Sequence, residues 1–114
     1  MSLELDLLDN LSHELRRGTI VINVLSQLKI PKYGYALVIE LEEKGFKIDA
    51  GTLYPLLRRL DKQGILDSSW DTDGTKPRKF YCLSAKGKKI YDALIREWYD
   101  MMSTTNNLIE EEKK

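Results

Sequence analysis

The chain has 114 residues, 42% of them hydrophobic and 32% charged, with a net charge of zero; this suits one domain that buries a core without disulfides or a structural metal. Cys82 is the only cysteine and His13 the only histidine, which excludes an intrachain disulfide, a zinc site and a strong Cys–His catalytic centre.

Leu8, Leu11 and Leu15 recur at helical spacing near the N-terminus, with Leu5 beside the same stripe. The first fifteen residues carry four acids and no Lys or Arg, the wrong charge for a secretory leader. No later stretch approaches the ~18 apolar residues of a membrane span. With a single cysteine as well, the expected location is cytoplasmic. The leucine pattern runs into residues 19–28, a mostly apolar stretch read as a buried helix; its length, Leu25 and Leu28 outweigh its β-branched residues. Gly18 either separates two helices or softens one.

Ile30-Pro31-Lys32 breaks the pattern. A second helix is expected over roughly Tyr35 to Lys44, with Leu37, Val38, Ile39 and Leu41 forming an apolar side and Gly45 the stop. A short third helix lies between an Asp49 N-cap and Gly64. Leu53, Leu56, Leu57 and Leu60 give it one narrow apolar face, and Pro55 should cost it a hydrogen bond to Gly51. At ~100° per residue, the opposite face carries Gly51, Pro55, Arg58 and Lys62, flanked by Thr52, Tyr54 and Arg59. Strands over 65–70 and 78–83, joined by the polar turn 71–77, form a β-hairpin. Ser84 caps a last helix that would reach Glu111, about 40 Å at ~1.5 Å per residue. Tyr91, Leu94, Trp98, Met101, Thr105 and Leu108 form a heptad seam on it, too long for so small a domain to cover. The tail 110–114 is expected to fray.

The expected fold is mainly α with a β-hairpin, a winged helix-turn-helix. Residues 1–83 hold the N-terminal helix and the DNA-binding part; residues 84–114 add a long C-terminal dimerisation helix to the same structural unit. The zero net charge conceals segregation: −4 over residues 1–15, +7 over 16–89 and −3 over 90–114. A basic centre between acidic arms suits a polyanion on one face. Arginine, as at Arg58 with Arg59 on the flank, can read guanine edges from a groove-sized helix, while Lys62 and Thr52 suit phosphates. The plainer reading is that these cations only solvate an ordinary helix. Lys76, Arg78 and Lys79 lie by Gly74 and Pro77, where a wing would rest on the DNA backbone, although Asp71 and Asp73 oppose that contact. Tyr33, Gly34 and Tyr35 open the second helix, whose free N–H groups can grip a phosphate; either tyrosine could equally be packing.

The residues Tyr33-Gly34-Tyr35-Ala36-Leu37, Gly51-Thr52-Leu53-Tyr54-Pro55-Leu56-Leu57-Arg58-Arg59-Leu60, Gly64-Ile65-Leu66 and Arg78-Lys79-Phe80-Tyr81-Cys82-Leu83-Ser84, with Gly87, resemble the PadR family of transcriptional regulators, in its short, small-subfamily form. The resemblance covers about residues 15–100, and its Gly-Thr-Leu-Tyr-Pro stretch is its most specific part. It implies a homodimer joined through the last helix, which partly crosses the partner's first helix. It also implies binding to a palindromic operator in double-stranded DNA, usually as a repressor. Some members with this layout stack flat aromatic effectors on a tryptophan of the last helix, and Trp98 is similar in position. Leu15, Thr19, Ile22, Asp100 and Met101 would then be its neighbours; alternatively the aromatic and Met stripe is core and dimer seam, with Tyr91, Leu94, Trp98, Met101 and Leu108 in the contact. The acidic, leucine-rich residues 1–12 depart from the family pattern.

A winged helix that binds protein rather than DNA is the competing reading, supported by the zero net charge. No enzyme is expected and no cofactor, since the chain has neither paired carboxylates nor a Gly-rich phosphate loop. Cys82, alternating with Tyr81 and Leu83 in a strand, reads as a small packing residue.

Overall fold

Leucine spacing decides how the elements meet. The computed structural model describes residues 2–111; Met1 and residues 112–114, the end of the tail expected to fray, lie outside the described residues. In chain order the elements are α1 (Leu3–Arg17), α2 (Ile20–Ser26), β1 (Lys32–Tyr33), α3 (Gly34–Glu43), α4 (Ala50–Lys62), β2 (Leu66–Asp71), β3 (Arg78–Leu83) and α5 (Ala85–Glu111). One core gathers Val24, Leu25 and Leu28 from α2 and its end, Leu37 and Leu41 from α3, and Leu53, Leu57 and Leu60 from α4. Leu66, Tyr81, Leu83 and Tyr91 close it from the sheet and α5. The helix expected over 19–28 forms only over Ile20–Ser26, with Val24 and Leu25 buried and the rest half-buried, and Leu28 joins the core just beyond its end.

Two glycines end the helices of the helix-turn-helix. Gly45 (φ 97°) and Gly64 (φ 79°) both adopt the left-handed conformation that a side chain resists. After α3 the Gly45 amide donates to the Glu42 carbonyl and that of Phe46 to Leu41; after α4, Gly64 donates to Asp61 and Ile65 to Leu60. This paired 5→2 and 6→1 pattern satisfies carbonyls that the helix leaves open. At the other end of α4, Asp49 accepts from the Thr52 amide at 2.8 Å. Pro55 sits in the second turn of α4 without ending it.

Gly18 proves to be a break. The Thr19 amide and hydroxyl both turn back to the Arg16 carbonyl, at 2.9 and 2.7 Å, so α1 and α2 are separate helices. The expected hairpin forms one residue later on its first strand, in antiparallel register from Leu66↔Leu83 to Asp71↔Arg78. A third strand was not legible. Lys32 and Tyr33 pair with Tyr81 and Phe80, giving the sheet order β1-β3-β2, and α3 accordingly begins at Gly34 rather than Tyr35. Two residues after a proline carry no periodicity, and only β3 makes them a strand.

Ser84 ties the hairpin to α5. Its hydroxyl caps the Gly87 amide at 2.9 Å and reaches the carbonyls of Gly64 and Ile65. Gly87 has to lack a side chain, because a Cβ there would lie 1.9 Å from the Ile65 carbonyl oxygen.

Both ends of the chain differ from this body. The helix α1 buries none of its residues, and its leucines lie exposed. On α5, Tyr91 is only 8% exposed and belongs to the protomer's own core, so this end of the expected dimer seam is already covered. Leu94 and Ile95 pack on that core, and from Arg96 to Glu111 every residue is exposed.

Candidate nucleic-acid interface

The four leucines anchor α4 and thereby aim its other face outward. Leu53, Leu57 and Leu60 are buried and Leu56 half-buried. Gly51, Pro55, Arg58 and Lys62 are exposed on the opposite side, as the helical wheel requires, and so are Thr52, Tyr54 and Arg59 on the flanks. Among the described residues, Arg58, Arg59 and Lys62 make no ion pair and no side-chain hydrogen bond.

One flank of α4 faces the sheet. There a concavity of about 350 Å³ is lined by Tyr33, Tyr35, Tyr54, Arg58, Trp70, Arg78 and Lys79, with Gly34 and Tyr81 at its walls. Six of the expected DNA contacts therefore share one hollow. Tyr33, one of its lining residues, stands in a stack: its ring lies 4.1 Å from Phe80 and 5.9 Å from Tyr35, and the Arg78 guanidinium sits 4.2 Å from it. Gly34 permits the close approach of α3 to α4, because a Cβ there would come within 2.9 Å of the Tyr54 ring.

The acids on this side hold the wing rather than leave it free. The Tyr33 hydroxyl donates to Asp71 at 2.5 Å, and Arg78 lies 3.7 Å from the same carboxylate. The hydrogen bond to Asp71 is the main reason the Tyr33 hydroxyl titrates above its ordinary value, with desolvation second. The same bond, followed by the Asp73 amide at 3.0 Å, holds the Asp71 carboxyl below its ordinary value. Lys79 pairs with Asp61 at 3.4 Å, and Ser68 donates to that carboxylate at 2.6 Å. Arg78 and Lys79 open β3, the strand expected over 78–83, while Lys76 stands exposed on the turn before it.

The other flank of α4 faces the first two helices. Thr52, Pro55, Leu56 and Arg59 line a hollow with Arg17, Ile20 and Val21. It adjoins a larger one holding His13, Arg16, Arg17, Lys47 and Asp49. Sequence reasoning missed these cations, although the switch from Glu4, Asp6 and Asp9 to Arg16 and Arg17 along α1 was available as a signal. Among the described residues, no helix is long and apolar enough to cross a membrane, and no group of three or more His, Cys, Asp or Glu side chains could hold a metal ion.

Residues 21–93 match the transcriptional regulator PadR-like family. The chain belongs to that family. A solved PadR family transcriptional regulator from Eggerthella lenta is 46% identical, with a TM-score of 0.89 over 92% of this chain and 94% of that one. The Mycobacterium tuberculosis transcriptional regulator Rv3488 is 29% identical over 76 residues, 66% of this chain and 71% of that protein. Bacillus subtilis PadR, solved in complex with operator DNA, shares the fold at 23% identity and a TM-score of 0.62, over 68% of this chain and 45% of that one. This PadR-like chain is thus a winged helix-turn-helix regulator: α3 and α4 are the helix pair, β2 and β3 the wing, and α5 the long C-terminal helix.

The expected effector residues only partly converge. Ile22 and Trp98 line a cleft of about 250 Å³ together with Asn23, Ser26, Tyr91, Ile95 and Tyr99. Leu15, Thr19, Asp100 and Met101 do not line it. The break at Gly18 carries Leu15 away on a separate helix, and two residues along a helix turn Asp100 by ~200° from Trp98. The seam residues Trp98, Met101 and Leu108 are exposed on the single protomer. Cys82 is a half-buried free thiol in β3.

Proposed function

We propose that this PadR-like regulator is a cytoplasmic homodimer that represses transcription by holding a palindromic operator. In this reading α4 lies in the major groove, with Arg58 towards base edges and Arg59, Lys62, Gly51, Thr52, Tyr54 and Pro55 around it. Tyr33 and Tyr35 at the start of α3, with Lys76, Arg78 and Lys79 of the wing, meet the phosphates. The observation that carries the reading is the exposed face of α4: three cations without acid partners among the described residues, directly opposite the buried leucines. The likeness to B. subtilis PadR in complex with operator DNA supports it at the level of fold.

What supports the dimer is apolar surface that the single chain leaves exposed. Leu5, Leu8, Leu11 and Leu15 on α1 and Trp98, Tyr99, Met101, Met102 and Leu108 on α5 are all exposed, and exposed apolar side chains grouped on two helices mark an interaction surface. A two-fold dimer through α5 would present both α4 helices to half-sites about 34 Å apart. A planar aromatic effector held near Trp98 between subunits would shift that spacing and release the DNA.

The test is selection of bound sequences from random duplex DNA, followed by Arg58→Ala on the site recovered. The variant should lose about 1–3 kcal/mol and tolerate substitution at one base pair of each half-site. Unchanged affinity would remove Arg58 from the reading face. Binding insensitive to salt would instead favour a protein partner for this surface.

A further inference from the structure

We propose that the C-terminal turn of α1, with Lys47, is a second phosphate clamp on the flank of α4 away from the wing. This rests on the reading of α4 as the DNA-contacting helix. That helix is straddled. Tyr54 and Arg58 look towards the wing-side hollow with Arg78 and Lys79. Thr52 and Arg59 look towards Arg17, which lines both hollows on the far side, where Arg16 and Lys47 join it. A helix lying in a major groove about 12 Å wide has a phosphate ridge on either side. The wing supplies cations for one ridge, and α1 for the other.

The charges along α1 fit this placement. Glu4 and Asp6 occupy its first turn and Arg16 and Arg17 its last. Fifteen residues span about 22 Å, so the basic end lies against α4 while the acidic end is held well away from a polyanion. The acids close to the clamp are already engaged. Asp49 caps the Thr52 amide, and Glu14 faces Arg17 across 4.0 Å with both side chains mostly in water, a contact too weak to hold the guanidinium from a phosphate. Arg16 keeps only a 3.4 Å contact to the His13 ring.

The clamp is tested with the full-length chain and a fluorescent random-sequence duplex of about 30 base pairs, binding being followed from about 50 to 200 mM salt. Arg16→Gln/Arg17→Gln should reduce the log–log salt slope by about 1.8, two phosphates at ~0.9 each, so that the variant's affinity falls roughly tenfold less than the parent's across that range. Arg16→Lys/Arg17→Lys should restore the slope, since the charge and not the packing of these exposed side chains makes the contact. An unchanged slope in the Gln variant, while Lys62→Gln still lowers it, overturns the clamp and leaves α4 as the DNA helix. Failure of the Lys variant to restore the slope overturns it too. A parent protein whose binding ignores salt overturns both readings.

Discussion

The cations of α4 and those of the wing have the same charge and opposite circumstances. Among the described residues Arg58, Arg59 and Lys62 make no ion pair, and they stand on a helix anchored from beneath by leucines. Arg78 and Lys79 are each bound to an acid and laid over aromatic rings. A free cation can be extended to a phosphate or a base; a stacked and paired one has already spent part of its attraction on its own fold. Under the proposed DNA-binding reading, this difference suits α4 to sequence reading and the wing to orientation.

The strongest way to break the comparison is to remove what holds α4. Leu57→Ala leaves a cavity beneath a fully buried side chain and should lower stability by about 2–5 kcal/mol, read by denaturant unfolding. A loss below about 1 kcal/mol would mean that α4 is held by something other than its leucine face. A smaller effect separates the two kinds of wing cation. Lys76→Ala should lower the salt slope of duplex binding by about 0.9, as for any free phosphate contact. Lys79→Ala should lower it less, because that ammonium is already committed to Asp61; equal slopes for the two variants would show that the ion pair opens on DNA.

The smallest effect concerns pH. The Asp71 carboxyl, held below its ordinary value of 3.8 by Tyr33 and the Asp73 amide, stabilises the fold fully above that value. Its contribution fades as acid protonates first the unfolded chain and then the folded one. Unfolding midpoints taken from neutral pH to pH ~3 should therefore fall less steeply for Asp71→Asn than for the parent. The Tyr33 partner carries the opposite sign: its raised value keeps the contribution intact below pH 10, the ordinary tyrosine value, and loses it above. Parallel acid limbs in the two proteins would show that the Tyr33–Asp71 bond does not hold the wing in solution.

Much of this was legible beforehand because it is local. The leucine spacing of α4, the Asp49 cap, the left-handed Gly45 and Gly64 and the hairpin each depend on neighbours a few residues away. So does the exposure of Arg58 and Lys62, which follows from the wheel once one face is buried. The misses were long-range. Strand β1 exists only because β3 lies beside it, Tyr91 is core because the body packs under the start of α5, and the bonds from Arg78 and Lys79 to Asp71 and Asp61 cross the sheet and the helix end.

By itself the sequence settled the family, the order of helices and hairpin, and which face of α4 is cationic, since side-chain period and cap chemistry are written residue by residue. Only the tertiary structure decided which cations among the described residues are unpaired, that Arg16 and Arg17 lie beside α4, and that α1 stands uncovered. Those outcomes depend on which elements approach through space, and a pattern along one strand of chain does not record distance between parts far apart in it.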